Sequence, residues 1–195
     1  MHKVVLLAVA IVVFAGGGSY ALTRYRIAQD VEKGKGLAQE RAAERNRQQS
    51  AVTRQKTMTD LLTTLEDSLQ VRPLDSMLLI SSANISYDLG QFDKAVTYYK
   101  RFLDNIEPSN TAIRIDYAYA LYQTGKQDEG KSVLSDVIRR EPRNQVALLN
   151  LAVMYAQERN FDEALIWFKR CRDANPASDM GKRASLAITQ LETNT

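Results

Sequence analysis

Apolar residues are distributed along the 195-residue chain in distinct regimes. Residues 4–22 read VVLLAVAIVVFAGGGSYAL and carry no charge. At about 1.5 Å rise per residue, a helix of that length spans a hydrocarbon core. Residues 24–50 are polar, rich in Arg, Gln and Glu, and have no apolar stripe. The pattern then turns helical. Met58, Leu61, Leu62, Leu65 and Leu69 follow i, i+3, i+4, i+7, i+11 spacing and predict an amphipathic helix over residues 55–72. Leu148, Leu151, Ala152 and Tyr155 predict a helix over residues 145–157, and Ala164, Leu165, Phe168 and Cys171 a second over 161–174. Met180, Ala184, Ala187, Ile188 and Leu191 give a last amphipathic stripe over residues 179–192.

Between these two flanking helices the pattern repeats. The chain's four prolines, Pro73, Pro108, Pro142 and Pro176, are separated by 35, 34 and 34 residues. Asp93, Asp128 and Asp162 keep the same ruler. Ten residues before each aspartate stands Ala83, Ala118 or Ala152; two after it, Ala95, Gly130 or Ala164. Six after it comes Tyr99, Leu134 or Phe168, and nine after it Phe102, Val137 or Cys171. The first copy carries one extra residue between Phe102 and Pro108. Such a period predicts two helices per unit. Small residues let two backbones approach, and a large residue fills the next gap. Gly90 and Gly125 suit a left-handed helix end, where the third copy has Arg159. The prolines read as the ends of the second helices, because proline cannot sit mid-helix.

The array resembles the tetratricopeptide repeat (TPR). In the third copy Leu148, Leu151, Ala152, Tyr155, Ala164, Phe168 and Pro176 fall on that family's signature, with Cys171 at its remaining small position. The second copy departs at Arg114 and Gly130, the first at Ser82 and Ser86. The resemblance covers residues 75–178, as units 75–109, 110–143 and 144–178. It implies an all-α, right-handed superhelix of helix-turn-helix repeats with residues 179–192 as a capping helix, and the uncharged span places a transmembrane helix at residues 1–23 ahead of it.

By the family's geometry, one face of each first helix lines a concave groove. Those faces hold Met77, Ile80, Asn84 and Tyr87; Ala112, Ile115, Tyr119 and Tyr122; and Val146, Leu149, Val153 and Ala156. The candidate peptide-binding set is Ile80, Asn84, Tyr87, Ile115, Tyr119, Tyr122, Leu149 and Val153. Tyrosine offers rigid area with one hydroxyl, which suits a bound peptide or helix. Tyr87 and Tyr122 equally suit packing between helices, and the chain's own N-terminal segment could fill the groove. One subfamily grips a C-terminal carboxylate with Lys and Asn. Asn84 matches one such position, but Ile80, Asp116 and Val146 occupy others, so no carboxylate clamp is expected.

Composition narrows the chemistry. The apolar fraction of 45% and charged fraction of 25% are those of a globular protein. Net charge is +3, unevenly placed: residues 24–56 carry nine Lys/Arg against four acids, whereas residues 57–195 sum to −3. A mildly acidic body lacks the concentrated basic face that binds nucleic acid. The basic neck suits an anionic membrane surface. Residues 24–54 read as a polar basic linker or helix: Lys33-Gly34-Lys35-Gly36 interrupts any helix, whereas the composition from Leu37 to Gln49 favours one. Cys171 is the single cysteine and His2 the single histidine, so an intrachain disulfide, a Cys/His metal site and a histidine triad are excluded in the body. Asp93, Asp128 and Asp162 lie a full repeat apart and form no catalytic set. Gly16-Gly17-Gly18 lacks the Lys-Ser/Thr of a phosphate loop. No cofactor and no enzymatic activity are expected.

Residues 1–23 read as an anchor or, with Ser19-Tyr20-Ala21 as a cleavage site, a signal peptide. Arg24 and Arg26 directly behind the span favour the anchor. The positive-inside rule and the short leading tail give opposite sides for the body, so its side stays open. The expectation is a bacterial inner-membrane scaffold that binds a protein partner in its groove. It is similar to anchored repeat subunits of cytochrome c maturation, which hold an apocytochrome tail. The alternative is a self-associating accessory subunit of an envelope assembly whose groove is filled by its own chain.

Overall fold

The computed structural model describes the backbone of residues 2–193, and side chains from residue 39 onward together with those of residues 33, 35 and 36. Eight helices follow in order: α1 (His2–Val71), α2 (Ser76–Asp88), α3 (Phe92–Asn105), α4 (Thr111–Gln123), α5 (Gln127–Arg140), α6 (Gln145–Gln157), α7 (Phe161–Ala174) and α8 (Asp179–Thr193). The chain divides into two units, Met1–Gln55 and Lys56–Thr195.

In the first unit, every described side chain is exposed. Helix α1 runs on through Lys33-Gly34-Lys35-Gly36, contrary to the expected interruption. Each glycine costs about 1 kcal/mol against alanine, which weakens a helix without forbidding it. The following Ala-, Glu-, Arg- and Gln-rich stretch consists of good helix formers. The apolar span at residues 4–22 lies outside the described side chains. Among the described residues, no helix is long and apolar enough to cross a membrane.

In the second unit, α2 packs on α3, α4 on α5 and α6 on α7, and α8 closes the array against α7 and α6. The end of α1 covers the other side of the stack. Leu62 and Leu69 are buried there, and Glu66 accepts hydrogen bonds from Lys94 Nζ and Tyr98 Oη, both at 2.7 Å.

Each first helix opens on a side-chain cap. Asp75, Asn110 and Asn144 accept from the backbone N–H of Leu78 (3.1 Å), Ile113 (3.0 Å) and Ala147 (3.0 Å). Ser178 does the same for Gly181 at 2.9 Å. Every one of these caps lies two residues after a proline. The proline ruler therefore marks the entry to the next helix as much as the end of the last one. A fixed-φ residue sets the turn, and a polar side chain then satisfies a free N–H.

The turns within the pairs follow one geometry. Gly90, Gly125 and Arg159 have φ of 71°, 84° and 61°. The next residue closes each turn: Gln91, Lys126 and Asn160 donate their N–H to the carbonyls of Ser86 (2.8 Å), Leu121 (3.0 Å) and Tyr155 (2.9 Å). Arg159 holds a left-handed conformation that costs a residue with a Cβ about 1–2 kcal/mol. Part of that is offset because glycine loses more backbone entropy on folding. Arg159→Gly is expected to stabilise the protein by about 0.5–1 kcal/mol, read as a rise in thermal midpoint. A fall would show that the arginine side chain supports the turn.

Two buried clusters fill the stack. One joins Leu69 to Leu79, Ala83, Ala95, Tyr99 and Phe102, and reaches Ile113 and Ala120 of α4. The larger runs from Ile115 and Leu134 through Leu148, Leu151 and Phe168 to Ala184 and Ile188 of α8. Ser82 and Ser86 are fully buried, and their hydroxyls find no partner. They occupy the positions of Leu151 and Tyr155 in the third copy. The first copy thus gives up apolar contact there, and each orphan hydroxyl carries a desolvation cost of about 1–3 kcal/mol.

Candidate functional site

The first helices of all three pairs meet in one concave cavity of about 580 Å³. Helix α2 supplies Asn84, Tyr87 and Asp88; α4 supplies Asp116 and Tyr119; α6 supplies Leu149, Asn150 and Val153. Tyr99 reaches it from α3 and Arg183 from α8.

Tyr87, Tyr99 and Tyr119 line its wall, and the rings of Phe92 and Tyr122 stand behind them. Tyr87 meets the edge of Phe92 at 5.3 Å and faces Tyr119 at 6.0 Å, and Tyr119 stands 6.5 Å from Tyr122. The buried Tyr99 donates its hydroxyl to Asn84 Oδ1 at 2.7 Å, which fixes Asn84 at the cavity surface. This bond satisfies a phenol that would otherwise be buried alone.

The charged groups are arranged differently. Asp116 opens onto the cavity, and desolvation by the surrounding protein raises its carboxyl pKa above the usual range. Among the described residues, neither Asp116 nor Asp88 has a side-chain hydrogen-bond or ion-pair partner. Burial pushes Tyr87 up to about 12, with the charges of Tyr119, Asp116 and Asp88 adding to it. Tyr99 is raised too, by burial first and then by Asp116. These phenols stay protonated and can donate. Arg183 is exposed on the same wall and makes no ion pair among the described residues.

Of the residues expected in the groove, Asn84, Tyr87, Tyr119, Leu149 and Val153 line this cavity. Three do not. Ile115 is 4% exposed and belongs to the larger core cluster. Ile80 packs against the smaller one. Tyr122 packs against the core and donates its hydroxyl to the Met154 carbonyl at 3.1 Å, the interhelical role that sequence left open. Asp88, Tyr99, Asp116, Asn150 and Arg183 were outside the expected groove set. Asp116 and Asn150 share one repeat position, 34 residues apart, and that shared polar position was the signal available.

Elsewhere, Cys171 is fully buried and its thiol is pushed to about 11 by burial, which leaves no reactive thiolate near neutral pH. Among the described residues, no group of His, Cys, Asp or Glu could hold a metal ion. The cavity presents aromatic faces and polar side chains on one concave wall.

Comparison with solved structures finds the same fold. MamA aligns with a TM-score of 0.60 at 14% identity, over 70% of this chain and 78% of that one. YrrB, described as a TPR protein with an unusual peptide-binding site, aligns at 0.59 and 22% identity, over 67% of this chain and 66% of that one. The first TPR of Spaghetti (RPAP3), bound to an HSP90 peptide, aligns at 0.52 and 16% identity, over 61% and 91%. Among curated sequences, the CTR9 homolog of Arabidopsis thaliana is 26% identical over 89 residues, 46% of this chain. The chain spans only 8% of that protein's length. The family model for the TPR domain of cytochrome c-type biogenesis protein H matches residues 28–181, most of the chain. On that match, carried by three helix pairs in register, the chain belongs to the family of cytochrome c-type biogenesis protein H TPR domains.

Proposed function

We propose that this protein is a membrane-tethered adaptor that holds a peptide or helical segment of a protein partner in the cavity between α2, α4 and α6. The observation that carries the reading is the cavity itself. It crosses all three repeats, is lined by Tyr87, Tyr99 and Tyr119, and presents two carboxylates and an arginine that have no ion pair among the described residues. Such groups are free to pair with complementary charges of a bound segment. The uncharged span at residues 4–22 would supply the tether, in a bacterial inner membrane. The family match makes cytochrome c biogenesis the setting in which a partner should be sought.

The test is photocrosslinking. A photoreactive amino acid replaces Tyr119 in the full chain, and native membranes are irradiated and resolved by mass spectrometry. A discrete heterologous adduct is expected from position 119 and none from Ile166, which is 51% exposed on α7. Adducts from 166 alone would move binding off the cavity. Adducts joining two copies of this chain would favour the self-associating subunit instead.

A further inference from the structure

Resting on that reading of the groove, we propose that the bound segment presents a basic side chain, seated between the Asp88 and Asp116 carboxylates and the Tyr87 and Tyr119 rings. Several observations meet at this point. Glu66, Asp104, Asp136 and Glu158 lie 2.7–3.8 Å from a Lys or Arg nitrogen, and acids without an ion pair such as Asp93 and Asp162 stand exposed in the first turn of a helix. Among the described residues, Asp88 and Asp116 have no ion-pair partner and instead line a cavity, which Arg183 also lines. Both carboxylates line the same cavity as Tyr87 and Tyr119. Tyr87 and Tyr119 stand 6.0 Å apart beside that space. Aromatic faces and carboxylates together favour a cation that has left water.

The state of Asp116 agrees. Its raised carboxyl pKa means that the folded protein holds the proton more tightly than the unfolded chain does. The stability this contributes is lost as pH rises through the folded-state value, so at neutral pH the charge opposes folding. A cation from the partner would relieve that penalty. Asp116→Asn is therefore expected to raise the melting temperature at pH 7, and a binding loss in this variant would not be a folding defect.

The probe is a random 12-residue peptide library displayed on phage, panned on the full chain in nonionic detergent. Enriched peptides are expected to carry Lys or Arg at one fixed position and to lose enrichment on Tyr119→Ala. In one such peptide, replacing the basic residue by norleucine is expected to weaken binding roughly 10-fold on the wild type and little on Asp116→Asn. Peptides that depend on Tyr119 but show no basic position would overturn this inference and leave the groove reading standing. Enrichment indifferent to both Tyr119→Ala and Asp116→Asn would overturn the groove reading and this inference with it.

Discussion

Truncating Phe168 to alanine is expected to remove about 3–5 kcal/mol of stability, measured by urea unfolding of the full chain. Phe168 is 4% exposed and belongs to the cluster that runs from Leu148 and Leu151 to Cys171, Ala184 and Ile188. It lies on α7, which packs against both α6 and the capping helix α8. Its ring therefore ties the last repeat to the cover over that repeat's apolar face. The neighbours are fixed within helices and close only partly over the void, so a cavity cost adds to the lost burial. Against a total of about 5–15 kcal/mol for a domain, this is a large fraction.

The loss should also be local. Each pair in a repeat array contacts mainly its neighbours, so stability is close to a sum of unit and interface contributions. The buried clusters divide accordingly, one holding α2 and α3 and the other α6 to α8. In Phe168→Ala, amide exchange in α6, α7 and α8 should accelerate while α2 and α3 keep most of their protection. An equal loss in α2 and α3 would mean that the array opens as one cooperative unit, and the division would not describe its energetics.

Repeat phase made the fold legible. The helices of the third copy, Gln145–Gln157 and Phe161–Ala174, coincide with the bounds read from the apolar spacing. A helix pair buries the same small and large positions in each unit, and a 34-residue period carries that constraint along the chain. The cavity was only partly legible, because a helix face is wide and the groove takes a narrow strip of it. Asn84, Tyr119 and Val153 share a repeat position and all line the cavity. Ile115 stands one residue before Asp116, about 100° around the helix, so the core takes one and the cavity the other. Tyr99 and Arg183 come from elements other than the first helices, which no first-helix template includes. The continuity of α1 through Gly34 and Gly36 was missed for another reason. A propensity cost was read as a break, and a cost of a few kcal/mol is set against the whole helix.

Gly130→Ala is expected to destabilise the protein, although alanine is the residue of the other two copies and the better helix former. Ala95 and Ala164 at the matching positions are fully buried. A Cβ built on Gly130 would stand 2.5 Å from the Ala118 carbonyl oxygen and 3.3 Å from the Tyr122 amide nitrogen. Both are backbone atoms inside α4, so neither can swing aside as a side-chain tip would. Helix propensity favours alanine by about 1 kcal/mol. Overpacking against rigid backbone costs about 1–3 kcal/mol, occasionally more, and here α4 and α5 must separate by a sizeable part of an ångström. The net expectation is a loss of about 1–2 kcal/mol, seen as a lower urea midpoint. The motion would carry a second signature. Tyr119 and Tyr122 lie on the helix that must move, so peptides selected on the wild-type groove should bind Gly130→Ala more weakly. Ala164→Gly supplies the opposing control: it opens space at a fully buried position and loses propensity, so it too should destabilise. If Gly130→Ala instead raised stability, the close approach of α4 and α5 would not exist in solution. The glycine would then be a chance departure from the repeat, with no steric reason behind it.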